Sequence, residues 1–306
     1  MATTGTADPP RGRFAPTPSG PLHLGSLLAA TCSYLDVRSR GGQWLLRIED
    51  LDTQRNIPGM AEAIQRVLES FGFEWSGNVV FQKDRIDLYG EAMARLREAG
   101  RTYPCRCSRA QLASAAEPGL EPVYPGTCRN RRSNEALPHA LRFRIAEDQA
   151  PIRFADEWQG EVQQDCRREA GDFVIRRRDG IVAYHLAAVV DDEVQGIDRV
   201  VRGADLLSST PRQMLLQQAL GYRTPAYAHL PLLVEADGRK LAKSRHAIAL
   251  DSARAPETLC EVLRWLRQDP PAELARAAVP EIWAWALAHW RPARLAGCRE
   301  LRLPAA

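Results

Sequence analysis

The order of apolar and polar positions divides the chain into alternating strands and helices. Phe14 and Ala15 end a short apolar segment that reads as a first strand. Residues 16–21, Pro-Thr-Pro-Ser-Gly-Pro, cannot lie inside a helix, because proline has no N–H to donate. A helix is expected from near Ser26, a good N-cap residue, with Leu27, Leu28, Tyr34 and Leu35 as its apolar face. Gly41 and Gly42 stop it. Residues 43–48, Gln-Trp-Leu-Leu-Arg-Ile, then read as a mostly buried strand, followed by the polar turn Glu49-Asp50-Leu51-Asp52. Strand, helix and strand in close succession form a βαβ unit, the building block of a parallel sheet. Such sheets hold ligands beyond the carboxyl ends of their strands, where residues 16–25 and 49–52 both fall.

Further helices are expected over 58–71 and 85–99, each stopped by a glycine, Gly72 and Gly100. From Tyr103 to Gly171 the pattern turns irregular and rich in Pro, Gly and Arg, with a short strand at 141–145, and reads as an insertion. Regular structure resumes at 172–175 and 181–190, then a helix over 210–220 with Pro211 in its first turn, and an apolar strand over 229–235. The remainder, from Ala255, reads as helical. The expected organisation is therefore α/β: a tail over 1–12, two halves of a catalytic domain at 13–102 and 172–250, an insertion at 103–171 between them, and a helical end at 251–306.

Composition narrows the class. With 306 residues, 45% hydrophobic and 26% charged, the chain is an ordinary globular protein able to bury a core. The first residues lack the apolar run of a signal peptide, and no stretch is long enough to span a membrane. The expected address is the cytoplasm and the expected state a monomer. Seven cysteines, an odd number, argue against a disulfide framework. Cys32, Cys166, Cys260 and Cys298 stand alone and read as packing residues. The net charge of +3 decides nothing, but its distribution does. Between Arg101 and Arg132, Arg101, Arg106, Arg109, Arg129, Arg131 and Arg132 outnumber Glu117 and Glu121, and Arg176, Arg177 and Arg178 form a second basic cluster. Such patches suit either a phosphate backbone or plain solvation.

Two segments carry phosphate chemistry. In Pro21-Leu-His-Leu-Gly-Ser26 an imidazole and a glycine sit at a helix start, where backbone N–H groups and the helix dipole attract anions. In Gly238-Arg-Lys-Leu-Ala-Lys-Ser244 two lysines in a loop offer point charges to a polyphosphate. Taken together, Arg13-Phe-Ala-Pro-Thr-Pro-Ser-Gly-Pro-Leu-His-Leu-Gly-Ser26 resembles the HIGH signature of the class I aminoacyl-tRNA synthetases in its glutamyl form, and Lys240-Leu-Ala-Lys-Ser244 resembles their KMSKS signature. Arg47-Ile-Glu-Asp-Leu-Asp52 and Val201-Arg-Gly-Ala-Asp-Leu206 also match the glutamyl branch. Ala242 stands where the second signature usually has Ser, while Lys243 is retained.

The resemblance implies a Rossmann-type catalytic domain and the activation of glutamate with ATP to glutamyl-adenylate, with pyrophosphate leaving and Mg²⁺ assisting. His23 and Lys243 would be the catalytic groups, and His23, Gly25, Ser26, Lys240, Lys243 and Ser244 would hold ATP. Arg13 and Arg202 would meet the carboxylates of glutamate, Glu49 its ammonium, and Phe14, Ala15, Pro16, Thr17 and Tyr184 would line the pocket.

Cys105-Arg-Cys107 and Tyr124-Pro-Gly-Thr-Cys128 bring together three thiols and a phenol. Zinc takes four tetrahedral ligands and favours thiolates, so a metal site and ordinary packing both fit, and His139 is a rival fourth ligand on chemistry alone. The arrangement resembles that of the glutamyl-queuosine tRNA(Asp) synthetases, short bacterial relatives. That likeness implies one structural zinc held by Cys105, Cys107, Tyr124 and Cys128. It also implies tRNA(Asp) bearing queuosine as the partner, the basic insertion as its contact, and no anticodon-binding domain. The alternatives are charging of the 3′ end of tRNA(Glu), or a synthetase-like RNA-binding module without catalysis.

Overall fold

The computed structural model describes residues 9–113, 123–131, 137–234 and 250–302. In chain order the elements are β1 (Arg11–Phe14), α1 (Leu24–Arg38), β2 (Gln43–Ile48), α2 (Met60–Ser70), β3 (Val80–Phe81), α3 (Ile86–Glu98), β4 (Thr102–Cys105) and α4 (Arg109–Ala113). Then come β5 (Ala140–Phe143), β6 (Ile152–Asp156), β7 (Gly160–Gln164), α5 (Cys166–Glu169), β8 (Val174–Arg176), α6 (Tyr184–Val194), β9 (Arg199–Gly203) and α7 (Thr210–Leu220). The last are β10 (Ala226–Leu230), β11 (Leu232–Val234), α8 (Ala255–Trp265), α9 (Val279–His289) and β12 (Glu300–Arg302).

The central sheet has five strands in the order β10-β9-β1-β2-β3, all parallel. From β1 the chain winds outward to β2 and β3. It returns on the other side of β1 as β9 and β10. This reversal beside β1 is the switch point at which an open parallel sheet leaves a crevice beyond its strand ends. Side chains alternate between the faces along each strand. Trp44, Leu46, Ile48, Val201 and Ala228 enter one core with α1, α8 and α9. Val200 and Tyr227 enter a second core with α3, α6 and α7. Gly12 in β1 lets α1 lie close, because a Cβ there would run into the Val37 side chain.

The insertion builds a separate three-stranded antiparallel sheet, β4-β5-β8, and the hairpin β6-β7. β8, which sequence placed in the second catalytic half, hydrogen-bonds to β5 across the expected boundary at residue 171. Three further expectations are corrected. α1 starts at Leu24, not near Ser26, because His23 is the N-cap: its Nδ1 accepts from the Ser26 amide at 3.2 Å. The strand expected over 229–235 is two strands, β10 and β11, separated by Pro231, which has no N–H for the ladder. The end of the chain is not purely helical: beyond α9, β12 pairs in parallel with β11. Strand ends shift by a residue or two elsewhere, while β2 and α7 match the sequence reading.

The segment after Ala255 is part of the main core. Trp283 of α9 packs against Tyr34 of α1 at 4.8 Å between ring centroids and against Phe73 at 4.9 Å. Its indole N–H donates to the Phe71 carbonyl at 2.9 Å. Cys32, Cys166, Cys260 and Cys298 are all free and buried, as their reading as packing residues requires. Trp283→Ala is expected to lower the unfolding free energy by about 3–5 kcal/mol. Denaturant titration followed by circular dichroism measures this, and a loss under about 1 kcal/mol would mean that the C-terminal helices do not share the core.

Candidate active site

At the carboxyl ends of β1, β2, β9 and β10 lies a cleft of about 1130 Å³. Residues 13–17, 23, 25, 26, 49, 51, 52, 55, 181–184 and 201–206 are among those that line its walls. The strands deliver side chains here because each loop leaves the sheet on the same side. The loops after β1 and β2 are fastened together by Glu49 N–H to the Pro16 carbonyl and Ile57 N–H to the Pro18 carbonyl, both at 2.9 Å. The structure brings together Arg13, Phe14, Ala15, Pro16, Thr17, His23, Gly25, Ser26, Glu49, Tyr184 and Arg202 in this one cleft. Lys240, Lys243 and Ser244 lie outside the described residues.

Under the cleft floor lies a network of charge that the sequence reading did not identify. Arg13 is 4% exposed and Arg47 fully buried. Both reach Asp192 of α6: Arg13 Nε at 2.9 Å and Nη2 at 3.3 Å, and Arg47 Nη1 at 2.9 Å. Arg47 also donates to Gln195 at 2.7 Å and stands 3.7 Å from Glu49 and 3.6 Å from Asp191. Asp191 in turn accepts from Gln82, Arg85 and Tyr89. Burial would push the Asp192 carboxyl up, but Arg13 and Arg47 outweigh it and hold it below the ordinary range. Glu49 goes the other way: burial raises it, and Arg47 and Arg13 offset only part of the rise. The Arg47 guanidinium is destabilised by burial, yet Asp192, Asp191 and Glu49 raise its pKa well above normal. The available sequence signal was Asp191-Asp192 at the end of an apolar stretch, two adjacent acids where a helix should pack.

Arg202 is differently placed. It is 6% exposed, and its hydrogen bonds run to neutral groups: Nη1 to the Tyr184 hydroxyl at 2.9 Å, Nη2 to Thr210 at 2.8 Å and Nε to His229 at 3.0 Å. At the cleft rim Arg177 donates to Asp52 at 2.6 Å, linking the segment after β8 to the loop after β2.

In the insertion, Cys105, Cys107 and Cys128 place their sulfurs within 4.8 Å of one another. Cys107 and Cys128 are 3.6 Å apart, and the Tyr124 hydroxyl lies 3.4 Å from Cys105. Tetrahedral zinc with bonds of about 2.3 Å needs sulfurs about 3.8 Å apart, so these donors fit the ion. Burial opposes ionisation of Cys128, but the Arg106 amide and the Tyr124 hydroxyl bring its thiol down to about 7, towards the thiolate that binds metal. His139 points elsewhere, Nδ1 to the Leu137 carbonyl and Nε2 to Arg176, which counts against it as the fourth ligand.

Sequence and fold comparisons agree on a family. The family profile for the catalytic domain of class I tRNA synthetases (E and Q) matches residues 11–263. The chain belongs to this family, in its glutamyl-Q tRNA(Asp) synthetase branch. It is 51% identical over 306 residues to the glutamyl-Q tRNA(Asp) synthetase of Pseudomonas fluorescens, covering 99% of both chains. It is 51% identical over 287 residues to that of Dechloromonas aromatica, covering 92% of this chain and 94% of the relative. The glutamate-tRNA synthetase structure from Elizabethkingia anophelis superposes with a TM-score of 0.81 at 25% identity, over 97% of this chain and 68% of that one. A glutamate tRNA ligase from Elizabethkingia meningosepticum, solved with its amino acid, gives 0.80 over the same shares. Among the described residues no helix is long and apolar enough to cross a membrane.

Removing the Asp192 charge leaves two buried guanidinium groups short of a partner, which costs about 3–5 kcal/mol. Asp192→Asn is expected to show that loss near pH 7. A carboxylate with a depressed folded pKa stabilises above its unfolded value of about 3.9 and loses this as pH falls through the folded value. The gap between variant and unsubstituted protein should therefore close as pH drops below about 4. Unfolding curves across pH 3–8 measure it, and a gap that is absent or widens towards acid contradicts the network.

Proposed function

We propose that this protein activates L-glutamate with ATP in the cleft, without needing RNA, and transfers the glutamyl group to the queuosine base in the anticodon of tRNA(Asp). The observation that carries the reading is a single cleft that gathers two buried arginines, a partly buried glutamate and the His23 helix start. The relatives' names give the acceptor.

A free amino acid with two carboxylates and an ammonium needs two cations and one anion. Arg13 and Arg202 supply the cations and Glu49 the anion. Burial raises the Glu49 pKa, and an arriving ammonium favours its ionised form. ATP lies across the α1 start, with its phosphates towards the helix amides and His23. The His23 ring accepts from the Ser26 amide through Nδ1, which leaves Nε2 as the protonated nitrogen of the neutral ring. Lys243 and Lys240 neutralise charge building on the departing pyrophosphate. Bound Mg²⁺ supplies further neutralisation of the triphosphate.

An oxygen of the glutamate α-carboxylate attacks the α-phosphorus. The P–O bond to pyrophosphate breaks, and glutamyl-adenylate is left. A hydroxyl of the cyclopentenediol of queuosine then attacks the acyl carbon. AMP leaves, the hydroxyl proton is released and an ester remains. The arginine-rich stretch 101–132 meets the RNA backbone. Cys105, Cys107, Tyr124 and Cys128 hold zinc that fastens the insertion and takes no part in the chemistry.

Two experiments test this. Glutamate-dependent exchange of pyrophosphate into ATP is expected without any RNA, and labelled glutamate on RNA should map by nuclease digestion to the anticodon loop of tRNA(Asp). Exchange that strictly requires tRNA, or label at the 3′ end of tRNA(Glu), would refute the reading. Metal analysis of the purified protein is expected to give about one zinc per chain, lost in Cys105→Ser. A metal-free purified protein would refute the zinc site.

A further inference from the structure

Behind Arg202 lies a pair of residues that the proposed chemistry leaves unused. His229 of β10 stands beside Arg202 of β9 in the sheet register. Its Nδ1 is 2.6 Å from Asp156 Oδ2, and the side chains of both residues are fully buried. Asp156 comes from the end of β6, in the insertion hairpin. Its Oδ1 accepts from the amides of Trp158 at 3.1 Å, Gln159 at 2.9 Å and His229 at 3.1 Å. A carboxylate with this many donors stays ionised, and the His229 hydrogen bond helps to hold its pKa down against burial. On the other side of the ring, Nε2 faces Arg202 Nε at 3.0 Å and Thr210 Oγ1 at 3.2 Å.

Arginine has no acceptor, so Arg202 Nε must donate, and His229 Nε2 must offer its lone pair. Thr210 Oγ1 accepts from Arg202 Nη2, so at 3.2 Å its own hydrogen can at most share the single Nε2 lone pair that Arg202 Nε engages. This fixes the ring as neutral with its hydrogen on Nδ1, directed at Asp156. A protonated ring would set two cations head to head, and burial together with Arg202 pushes the His229 pKa down.

We propose that Asp156 and His229 are positioning residues that hold the Arg202 guanidinium in one orientation, so that its two uncommitted N–H groups grip a carboxylate of the amino-acid substrate. The count follows from the five N–H groups of arginine. Nε is tied to His229, and one hydrogen each of Nη1 and Nη2 is tied to Tyr184 and Thr210. One N–H remains on each terminal nitrogen. A guanidinium pinned at three points keeps its remaining donors aimed without further loss of freedom on binding. The hairpin of the insertion, packed beside the edge strand β10, thus shapes the substrate pocket through Asp156. The inference rests on reading Arg202 as an anchor for glutamate.

Pyrophosphate exchange with the full chain tests it. His229→Leu removes the acceptor, and the KM for glutamate is expected to rise at least about tenfold, as loss of a hydrogen bond to a charged group implies. The KM for ATP should stay within about twofold. His229→Gln can place its carboxamide oxygen near the Nε2 position and should recover most of the glutamate affinity. A folded His229→Leu protein with unmoved glutamate KM, or with both KM values raised alike, would overturn the inference. So would a folded His229→Gln protein as impaired as His229→Leu. Absence of exchange in the unsubstituted protein would sink the glutamate reading and this inference with it. Should His229→Leu fail to fold, nitrogen NMR of the histidine-labelled unsubstituted protein decides: a neutral ring with hydrogen on Nδ1 near pH 7 supports the proposal, and hydrogen on Nε2 or a protonated ring contradicts it.

Discussion

Asp192 lies between Arg13 and Arg47, and the rest of the cleft depends on that contact. Two guanidinium groups brought out of water at the ends of neighbouring strands would repel each other and lose their hydration. A carboxylate from a helix on the far side of the sheet holds them both, and it does so through well-formed hydrogen bonds. The same contact ties α6 to β1 and β2, so the two parts of the sheet that flank the insertion are locked at the point where a ligand would lie. Glu49 is a different case. It is near enough to Arg47 to be held in place, yet too buried to be satisfied by it alone.

The parallel sheet explains why such a cluster can exist. Every strand of the central sheet ends on the same side, so side chains far apart in sequence emerge at one edge. Arg13, Glu49 and Arg202 come from the ends of β1, β2 and β9, and His229 from β10. The elements outside this sheet also shape it. The hairpin of the insertion supplies Asp156 behind Arg202, and its Gln159 bridges the His229 and Cys298 carbonyls at 2.9 and 3.1 Å. β12 pairs with β11, so residues 300–302 return to the neighbourhood of the site.

Much of this was legible in sequence, and the reasons differ by residue. β2 and α7 were readable because their ends are marked by glycine, proline or a polar turn, and local signals of that kind act without tertiary context. The His23 segment at the start of α1 and the Arg202 segment were readable as parts of one cleft because each lies in a short contiguous motif. Four features were not legible. His23 caps α1 because its ring bonds an amide three residues on, a choice of rotamer that residue type alone does not encode. Asp191 and Asp192 looked like ordinary polar positions, and only the approach of β1, β2 and α3 reveals their partners. Asp156 and His229 are 73 residues apart, and no spacing rule joins them. β12 was missed because a three-residue strand has too little pattern to separate it from a helix end.

The central claim is that one cleft binds glutamate and ATP side by side. A crystal structure of the protein with L-glutamate and a non-hydrolysable ATP analogue tests it most directly. The account predicts the two glutamate carboxylates on Arg13 and Arg202, the ammonium on Glu49 and the phosphates beside His23. Glutamate bound away from all three of those charged residues, or an analogue whose phosphates lie far from the α1 start, would contradict it.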